Sequence, residues 1–259
     1  MMRFSSLGSG SEGNALVVEQ TSGATTTRIL LDCGFSAKEA SRRLERIGLC
    51  VEDLDAILIT HEHSDHIGGA LTLCRKFGTP LYTSWGTAQA VGAVGDARIT
   101  LELMQCGVPL SLRDLQIRPY TVPHDAREPL QFVFSDGART LGVLTDAGSG
   151  TSHITQSLQG CDALVLECNH DRSMLANSRY HAALKARIGG ALGHLANDSA
   201  AEILSTIDHA RLKHLVAAHL SKENNQAALA CDAINAVWGR GAEDVVVATQ
   251  ADGFAWLSL

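Results

Sequence analysis

Thr60-His61-Glu62-His63-Ser64-Asp65-His66-Ile67-Gly68-Gly69 is the stretch that decides how the rest of the chain is read. Asp55-Ala56-Ile57-Leu58-Ile59 precedes it, an apolar run of the length of a buried strand, and Ala70-Leu71-Thr72-Leu73-Cys74-Arg75-Lys76 follows with a helical pattern. The stretch therefore ends a strand and turns into a helix. At strand spacing His61 and His63 point to the same side. Asp65 and His66 come where the chain bends and can face the same pocket. Three imidazoles and a carboxylate within six residues form a mixed nitrogen and oxygen donor set suited to Zn²⁺, Mn²⁺ or Fe. A histidine-rich surface turn is the alternative, but such a turn has no reason to follow a buried strand. We read a metal site.

Outward from this stretch, the 259 residues carry 45% hydrophobic and 19% charged side chains, enough for a substantial core. No segment approaches the roughly 20 apolar residues of a membrane-spanning helix, so no membrane partner is expected. Met1-Met2-Arg3-Phe4-Ser5-Ser6-Leu7-Gly8 lacks the apolar core of a secretory signal. The seven cysteines, at positions 33, 50, 74, 106, 161, 168 and 231, are odd in number, scattered and without a C-x-x-C pair. They read as buried free thiols in a reducing cytosol, and a cytoplasmic protein is expected. A formal net charge of −7 argues against broad non-specific binding to nucleic acid, so a polyanionic substrate requires a local basic patch.

Along the chain, Gly8-Ser9-Gly10-Ser11-Glu12-Gly13-Asn14 lies between two strand-like segments. On spacing alone this loop suits a phosphate cradle and a plain hairpin connection about equally. Thr27 to Asp32 is a strand ending in a carboxylate, and Ser36 to Ile47 an amphipathic helix with Ser36 as N-cap. Leu81 to Ser84 is a short strand, and Ala88 to Val94 is read as helical. Strands dominate from Ile99 to Ala147, at 100–103, 115–120, 130–134 and 140–145, with a hairpin turn at Ser135-Asp136-Gly137. The second half adds a strand at 163–167, helices near 181–192, 199–208 and 225–238, and strands at 215–218, 245–248 and 254–257. His153, His181, His209 and His214 fall in or beside helices and are given no site role. No repeat, low-complexity tract or linker interrupts residues 1–259, so one domain is expected.

The His61 to His66 pattern resembles the H-x-H-x-D-H motif of metallo-β-lactamase-fold hydrolases. The resemblance implies an α/β, four-layer αββα sandwich of two mixed sheets flanked by helices. It also implies two divalent ions, Zn or Mn with Fe possible. His61, His63 and His124, in Val122-Pro123-His124-Asp125-Ala126, would hold the first. Asp65, His66 and His219, in Ala217-Ala218-His219-Leu220-Ser221, would hold the second, with Asp146 bridging. Asp65 counts among the catalytic groups as well. An Asp at 146, where β-lactamase subclasses often carry Cys, argues against a β-lactamase. Asp32 would hydrogen-bond the loop that carries the ligands, as such partners orient ligating groups; its alternative is a turn residue. Glu167 and His194 resemble the pair with which the nuclease branch handles a proton at the leaving oxygen; a buried structural Glu–His bond is the alternative.

Leu7 to Asn14, the HEHSDH stretch, Pro123 to Ala126, Leu166-Glu167-Cys168-Asn169-His170-Asp171, Gly193-His194-Leu195 and Ala218 to Asn225 together are similar to the YycJ/WalJ-like family. These segments span nearly the whole chain in order, and Cys168 stands where a small residue such as Ala is expected. The resemblance implies a dinuclear metal-dependent hydrolase, a phosphodiesterase or nuclease of 5′→3′ exonuclease type on single-stranded DNA ends, using a hydroxide held between the ions. Local charge agrees. Between Arg172 and Asn197 there is no acid, while Arg172, Arg179, Lys185 and Arg187 are basic. These four and Ser221 are the expected substrate contacts, although a solvated helix face would look the same. The interval from Asp146 to His219 leaves no room for a large nucleic-acid-clamping insertion, which favours a short or single-stranded end. A thioesterase or small-ester hydrolase of the glyoxalase II type is the rival enzyme, and a non-catalytic metal-binding regulator the rival of another class. The role of His170 stays open, near the site or in a turn.

Overall fold

The central β-strands, such as those at 56–58, 163–167 and 214–218, are apolar on both faces, which requires cover on both sides. In the computed structural model, which describes residues 1–259, two seven-stranded sheets meet that requirement. The first contains β1 (Met2–Gly8), β2 (Ala15–Ser22), β3 (Thr25–Leu31), β4 (Ala56–Leu58), β5 (Leu81–Thr83), β6 (Leu101–Leu103) and, at its edge, β14 (Phe254–Ser258). The second contains β7 (Leu110–Leu112), β8 (Leu115–Thr121), β9 (Leu130–Ser135), β10 (Thr140–Leu144), β11 (Ala163–Glu167), β12 (His214–Ala218) and β13 (Val246–Val247). Spatial order is β14-β1-β2-β3-β4-β5-β6 in one sheet and β13-β12-β11-β10-β9-β8-β7 in the other. In both, antiparallel pairing gives way to parallel pairing, between β3 and β4 in the first and between β10 and β11 in the second.

Period-two alternation sorts the core into three layers. Phe4, Val18, Ile29 and Leu58 face Ile117, Phe132, Phe134, Val143 and Val165 between the sheets. Val17, Leu30, Ile57 and Ile59 point the other way, under α1 (Ala37–Arg46) and α3 (Ala70–Phe77). The outer face of the second sheet, with Leu144, Leu164, Leu166 and Leu215, packs on α5 (Ser152–Ser157), α8 (Asn197–Thr206) and α9 (Ala227–Trp238). Four layers, αββα, result. No helix is long and apolar enough to cross a membrane.

The remaining helices are α2 (Ser64–Ile67), α4 (Trp85–Ala90), α6 (Arg172–Asn177) and α7 (Ala182–Ile188). Several local expectations are corrected. The helix expected at 88–94 is α4, shifted towards the N-terminus because Ser84 caps it by accepting the Thr87 N–H. The helix expected over 181–192 stops at Ile188, and the chain folds back so that the His194 N–H reaches Ile188 O at 2.8 Å. That return needs glycine at 193, where a Cβ would lie 2.1 Å from Arg187 O. Strand β7 and helices α5 and α6 have no counterpart in the expected elements. His214 opens strand β12 and belongs to no helix. All seven cysteines are free, but Cys50 and Cys106 are exposed, not buried. Nor is the Gly8–Asn14 loop a phosphate cradle. The N–H groups of Ser9, Gly10, Glu12, Gly13 and Asn14 already donate to protein oxygens.

Candidate metal centre

The site lies where strand ends of the two sheets meet. Asp32 follows β3, His61 follows β4, Asp146 follows β10, Glu167 ends β11 and His219 follows β12. Asp32, Asp146 and His219 all adopt left-handed backbone, with φ of 60°, 53° and 56°. Such conformations are uncommon outside glycine and cluster where a structure over-determines them for function. Here each turns the chain sharply off a strand and leaves its side chain in the common pocket. The HEHSDH loop is held against Gly34, where a Cβ would sit 1.8 Å from Asp65 O, so only glycine permits this approach.

Two donor groups form. His61 Nε2 is 3.0 Å from His63 Nδ1, and His124 Nε2 is 3.2 Å from the same atom. Ligands held at 2.0–2.1 Å by one tetrahedral ion would be roughly 3.3 Å apart, so this spacing fits a shared cation. In the second group His219 Nε2 lies 3.4 Å from Asp65 Oδ2, and His66 Nε2 lies 3.6 Å from it. Asp146 stands between the groups, with Oδ2 2.9 Å from His66 Nε2 and Oδ1 3.9 Å from His124 Nε2. His219 Nε2 is buried and makes no hydrogen bond with the protein, and buried Asp146 Oδ2 has only the charged contact with His66 Nε2. Buried polar atoms without partners are costly, which again fits cations.

The far side of each imidazole is fixed. His66 Nδ1 bonds Asp32 Oδ2 at 2.8 Å, and His61 Nδ1 meets Thr60 Oγ1 at 2.9 Å. Thr60 in turn donates both its N–H and its hydroxyl to Asp32. His124 Nδ1 bonds Gly193 O at 3.0 Å, and Asn169 Nδ2 lies 3.2 Å from His219 Nδ1. These partners set which ring nitrogen faces the centre. Burial and the surrounding histidines hold the His61 imidazolium well below its usual range. Burial works against the charge on His66 and His219 too, but Asp146 and Asp32 outweigh it at His66, and Asp146, Asp65 and Glu167 at His219. His66 is raised and His219 is pushed up to about 10. Protons thus occupy positions that a divalent cation would take over.

Glu167 is fully buried, accepts the Ala147 N–H at 2.8 Å through Oε2 and bonds His194 Nδ1 at 2.8 Å through Oε1. His194 Nε2 makes no protein hydrogen bond, and the side chain is 22% exposed. His194 Nδ1 is also 3.3 Å from Asp146 Oδ1. Burial opposes the imidazolium, but Glu167 and Asp146 raise it above the ordinary histidine range. Asp146, Glu167, His194 and His219 are close enough to form a further ligand group, which leaves a ligand role for the pair open to test.

A scan against family models matches the Beta-lactamase superfamily domain over residues 27–219. The chain belongs to this superfamily. Among characterised relatives, the exodeoxyribonuclease YycJ of Bacillus anthracis is 35% identical over 231 residues, covering 88% of this chain and 86% of its own. The exodeoxyribonuclease WalJ of Streptococcus pneumoniae is 36% identical over 234 residues, covering 88% and 85%. The metallo-β-lactamase fold protein YhfI of Bacillus subtilis superposes with a TM-score of 0.75 at 19% identity, covering 99% of this chain and 98% of its own. At that identity the likeness concerns the fold.

Within this superfamily member, His61, His63, Asp65, His66, His124, Asp146 and His219 converge, with Asp32, Glu167 and His194 around them. The basic residues are spread more widely. Arg187 pairs with Asp125 at 2.6 Å, and Asp125 lies 3.6 Å from His124 Nε2, so Arg187 reaches the rim. Arg172 pairs with Asp198 at 2.7 Å. Lys185 donates to Ala176 O, and Arg179 is exposed without a hydrogen bond or ion pair. Ser221 is buried, and its hydroxyl accepts the Asn224 N–H at 3.2 Å. Sequence reasoning passed over Thr60, Asn14, Asp125 and Asn169. Asn14 Nδ2 lies 3.2 Å from His66 Nε2, and its backbone N–H donates to Asp65 O. Only the glycine-rich surroundings of Asn14 offered a signal.

Proposed function

We propose that this protein is a metal-dependent phosphodiesterase that removes nucleotides from the 5′ end of single-stranded DNA. The observation that carries the reading is His194, with its Nδ1 on buried Glu167 and its Nε2 free at the edge of the ligand cluster. A phosphodiester expels an alkoxide and gains from a proton donor at that oxygen. A thioester expels a thiolate, which needs little protonation, so the thioesterase reading leaves this pair without a task. The names of the two exodeoxyribonuclease relatives support the same substrate class.

His61, His63 and His124 would hold one divalent ion and Asp65, His66 and His219 a second, with Asp146 between them. When bound, such ions stabilise negative charge that develops on a phosphoryl group. The chain's own residues do the rest. Asp32 and Thr60 lock the rings of His66 and His61, and Glu167 accepts the His194 Nδ1–H and favours the imidazolium, whose Nε2–H can donate. Arg187 and Arg172 bring positive charge near the site, although Asp125 and Asp198 temper it. Residues 1–259 act as one domain in this reading, supported by the apolar layer that the two sheets share. Seven unpaired cysteines support a reducing, cytoplasmic setting.

The test is an assay of protein reconstituted with Mn²⁺ or Zn²⁺ on 5′-phosphorylated DNA and RNA oligonucleotides, cyclic nucleotides and thioesters. DNA oligonucleotides should be shortened from the 5′ end, with a rate that falls as salt rises. Thioester turnover that outruns oligonucleotide turnover would overturn the reading.

A further inference from the structure

A cavity adjoins the ligand cluster at His194. Its volume is about 540 Å³, and His194 and Gly148, two residues after Asp146, form part of its wall. His170, buried and close to His194, lines it as well. Neither ring nitrogen of His170 has a protein partner, and its Nδ1 is fully enclosed. Arg172 is on the same wall. Its Nε and Nη2 are engaged by Asp198 and Ser199, which leaves Nη1 free to donate. Hydroxyls of Thr151, Thr155 and Ser199 make the lining polar.

We propose that this cavity is the binding site for the terminal nucleotide on the leaving-group side of the scissile bond, anchored by His170 and Arg172. The proposal rests on the phosphodiesterase reading above. Position is the first argument. A proton donor faces the leaving oxygen, so whatever that oxygen is attached to lies next to the donor, and the cavity is the space that His194 borders. Size is the second. The volume falls in the range of pockets that take one small ligand, about 300–1,000 Å³, which suits one nucleotide and not a continuing strand. Charge is the third. Glu202 lines the cavity and Asp198 stands behind Arg172, so a run of phosphates would be repelled while a single terminal phosphate finds Arg172 Nη1.

Bond changes follow from this placement. A water oxygen bonds to phosphorus, the P–O3′ bond breaks with its electron pair on O3′, and O3′ takes the proton of His194 Nε2. One proton of the water restores His194, and the other stays with the new phosphate or passes to solvent. The nucleotide in the cavity leaves with a 3′-hydroxyl, and the remaining strand carries a new 5′-phosphate. One nucleotide is released per cut because only one fits.

The experiment compares wild type, His170→Ala, His170→Gln and Thr155→Trp, all reconstituted with Mn²⁺. The substrates are a 5′-phosphorylated single-stranded oligonucleotide and methyl nitrophenyl phosphate, with thymidine 5′-monophosphate as inhibitor. Loss of a hydrogen bond to a charged or polar group should raise KM for the oligonucleotide roughly tenfold in His170→Ala, with kcat little changed. Inhibition by the mononucleotide should weaken by the same factor. His170→Gln, which keeps a donor and an acceptor, should recover most of the loss. Thr155→Trp narrows the cavity from a half-exposed helix position and should mimic His170→Ala on the oligonucleotide. The small diester should lose far less in each variant. Equal losses on both substrates would mean that His170 supports the centre, and the subsite would be wrong. Unchanged KM and inhibition in both His170→Ala and Thr155→Trp would overturn it too. Wild type that cleaves the small diester but is not inhibited by the mononucleotide overturns the subsite alone. Wild type that cleaves no phosphodiester overturns the underlying reading and the subsite with it.

Discussion

His194→Ala separates proton transfer from metal binding. In the structure His194 offers only Nε2 to a substrate, because Nδ1 bonds Glu167 at 2.8 Å. Glu167 cannot swing away, since its other oxygen accepts the Ala147 N–H at 2.8 Å. Burial opposes the imidazolium, yet Glu167 and Asp146 raise it above the ordinary range. Both carboxylates favour the acid form, and its contribution should be lost on substitution. General acid catalysis by a placed side chain is worth about 10²–10⁴-fold, or about 2.7–5.4 kcal/mol of barrier. A diester with an ordinary alkoxide leaving group should slow by that factor. A nitrophenyl diester, whose leaving group needs little protonation, should slow much less. Glu167→Gln should follow the same pattern more weakly, because the imidazole remains but loses the charge beside it. The pH profile provides a further check. A raised pKa keeps the acid loaded above the usual imidazole range, so the alkoxide rate should hold past neutrality and fall only beyond the raised value. Metal content should stay unchanged. If His194→Ala loses metal, or slows both substrates equally under conditions where chemistry limits the rate, His194 is a ligand or a structural residue and the reasoning fails.

Asp32→Asn keeps the shape but loses the charge that faces His66 and Thr60, so metal affinity should weaken about 10–100-fold, read by chelator competition; unchanged affinity would count against a positioning role. His66 and His219 have raised pKa values, so metal binding should release protons at neutral pH and tighten as pH rises. Calorimetry in buffers of different ionisation enthalpy would detect this release, and its absence would mean that both imidazoles are already neutral. Away from the site, Glu19 is 4% exposed and sits between Arg3 at 2.6 Å and Arg28 at 2.7 Å. Burial alone would raise its pKa, but the two guanidiniums bring it below the usual carboxylate range. Its contribution is therefore full above the unfolded-state value of about 4.3 and disappears as pH falls through the folded value. Glu19→Gln should cost roughly 1–3 kcal/mol in urea unfolding at pH 7, with the gap to wild type closing in acid; a gap independent of pH would refute the assignment.

What could be read from the chain divides along a physical line. His61, His63, Asp65 and His66 crowd into six residues after an apolar strand, so residue type and spacing alone announce a donor set. Asp32, Asp146 and His219 each follow the last buried residues of a strand, and although Asp and His are among the residues that enter left-handed backbone most readily, most Asp and His do not, so residue type alone does not mark the turn that aims each of them. Their roles came from resemblance, and the structure supplies the geometry. Thr60 and Asn169 were out of reach because ordinary polar residues gain their part only from distant contacts, as when Asn169 meets His219 fifty positions away. Charge counting failed for the same reason. The stretch from Arg172 to Asn197 has no acid of its own, but folding sets Asp198 on Arg172 and Asp125 on Arg187. The basic stretch thus becomes two tempered positions, Arg187 beside Asp125 and Arg172 on the cavity wall. Short helices were the other blind spot, because α5 and α6 have six residues each and too little apolar periodicity to register. Their caps, Thr151 and Asp171, were the usable signal.

Both sheets change from antiparallel to parallel pairing along their width, and the parallel halves direct their strand ends to the same edge of the sandwich. Side chains at those ends need no secondary structure of their own to converge, because the register of the sheets places them. This is why seven donors spread from His61 to His219 can meet while the loops between them vary in length. It also explains the position of the cavity beside His194. The return after α7 lines the cavity through Gly189, Gly190 and Ala191, and it sets His194 both in the cavity wall and 3.3 Å from Asp146. A shift of that return would move His194 and the cavity wall together, so the proposed proton donor and the proposed nucleotide subsite should respond to the same perturbation.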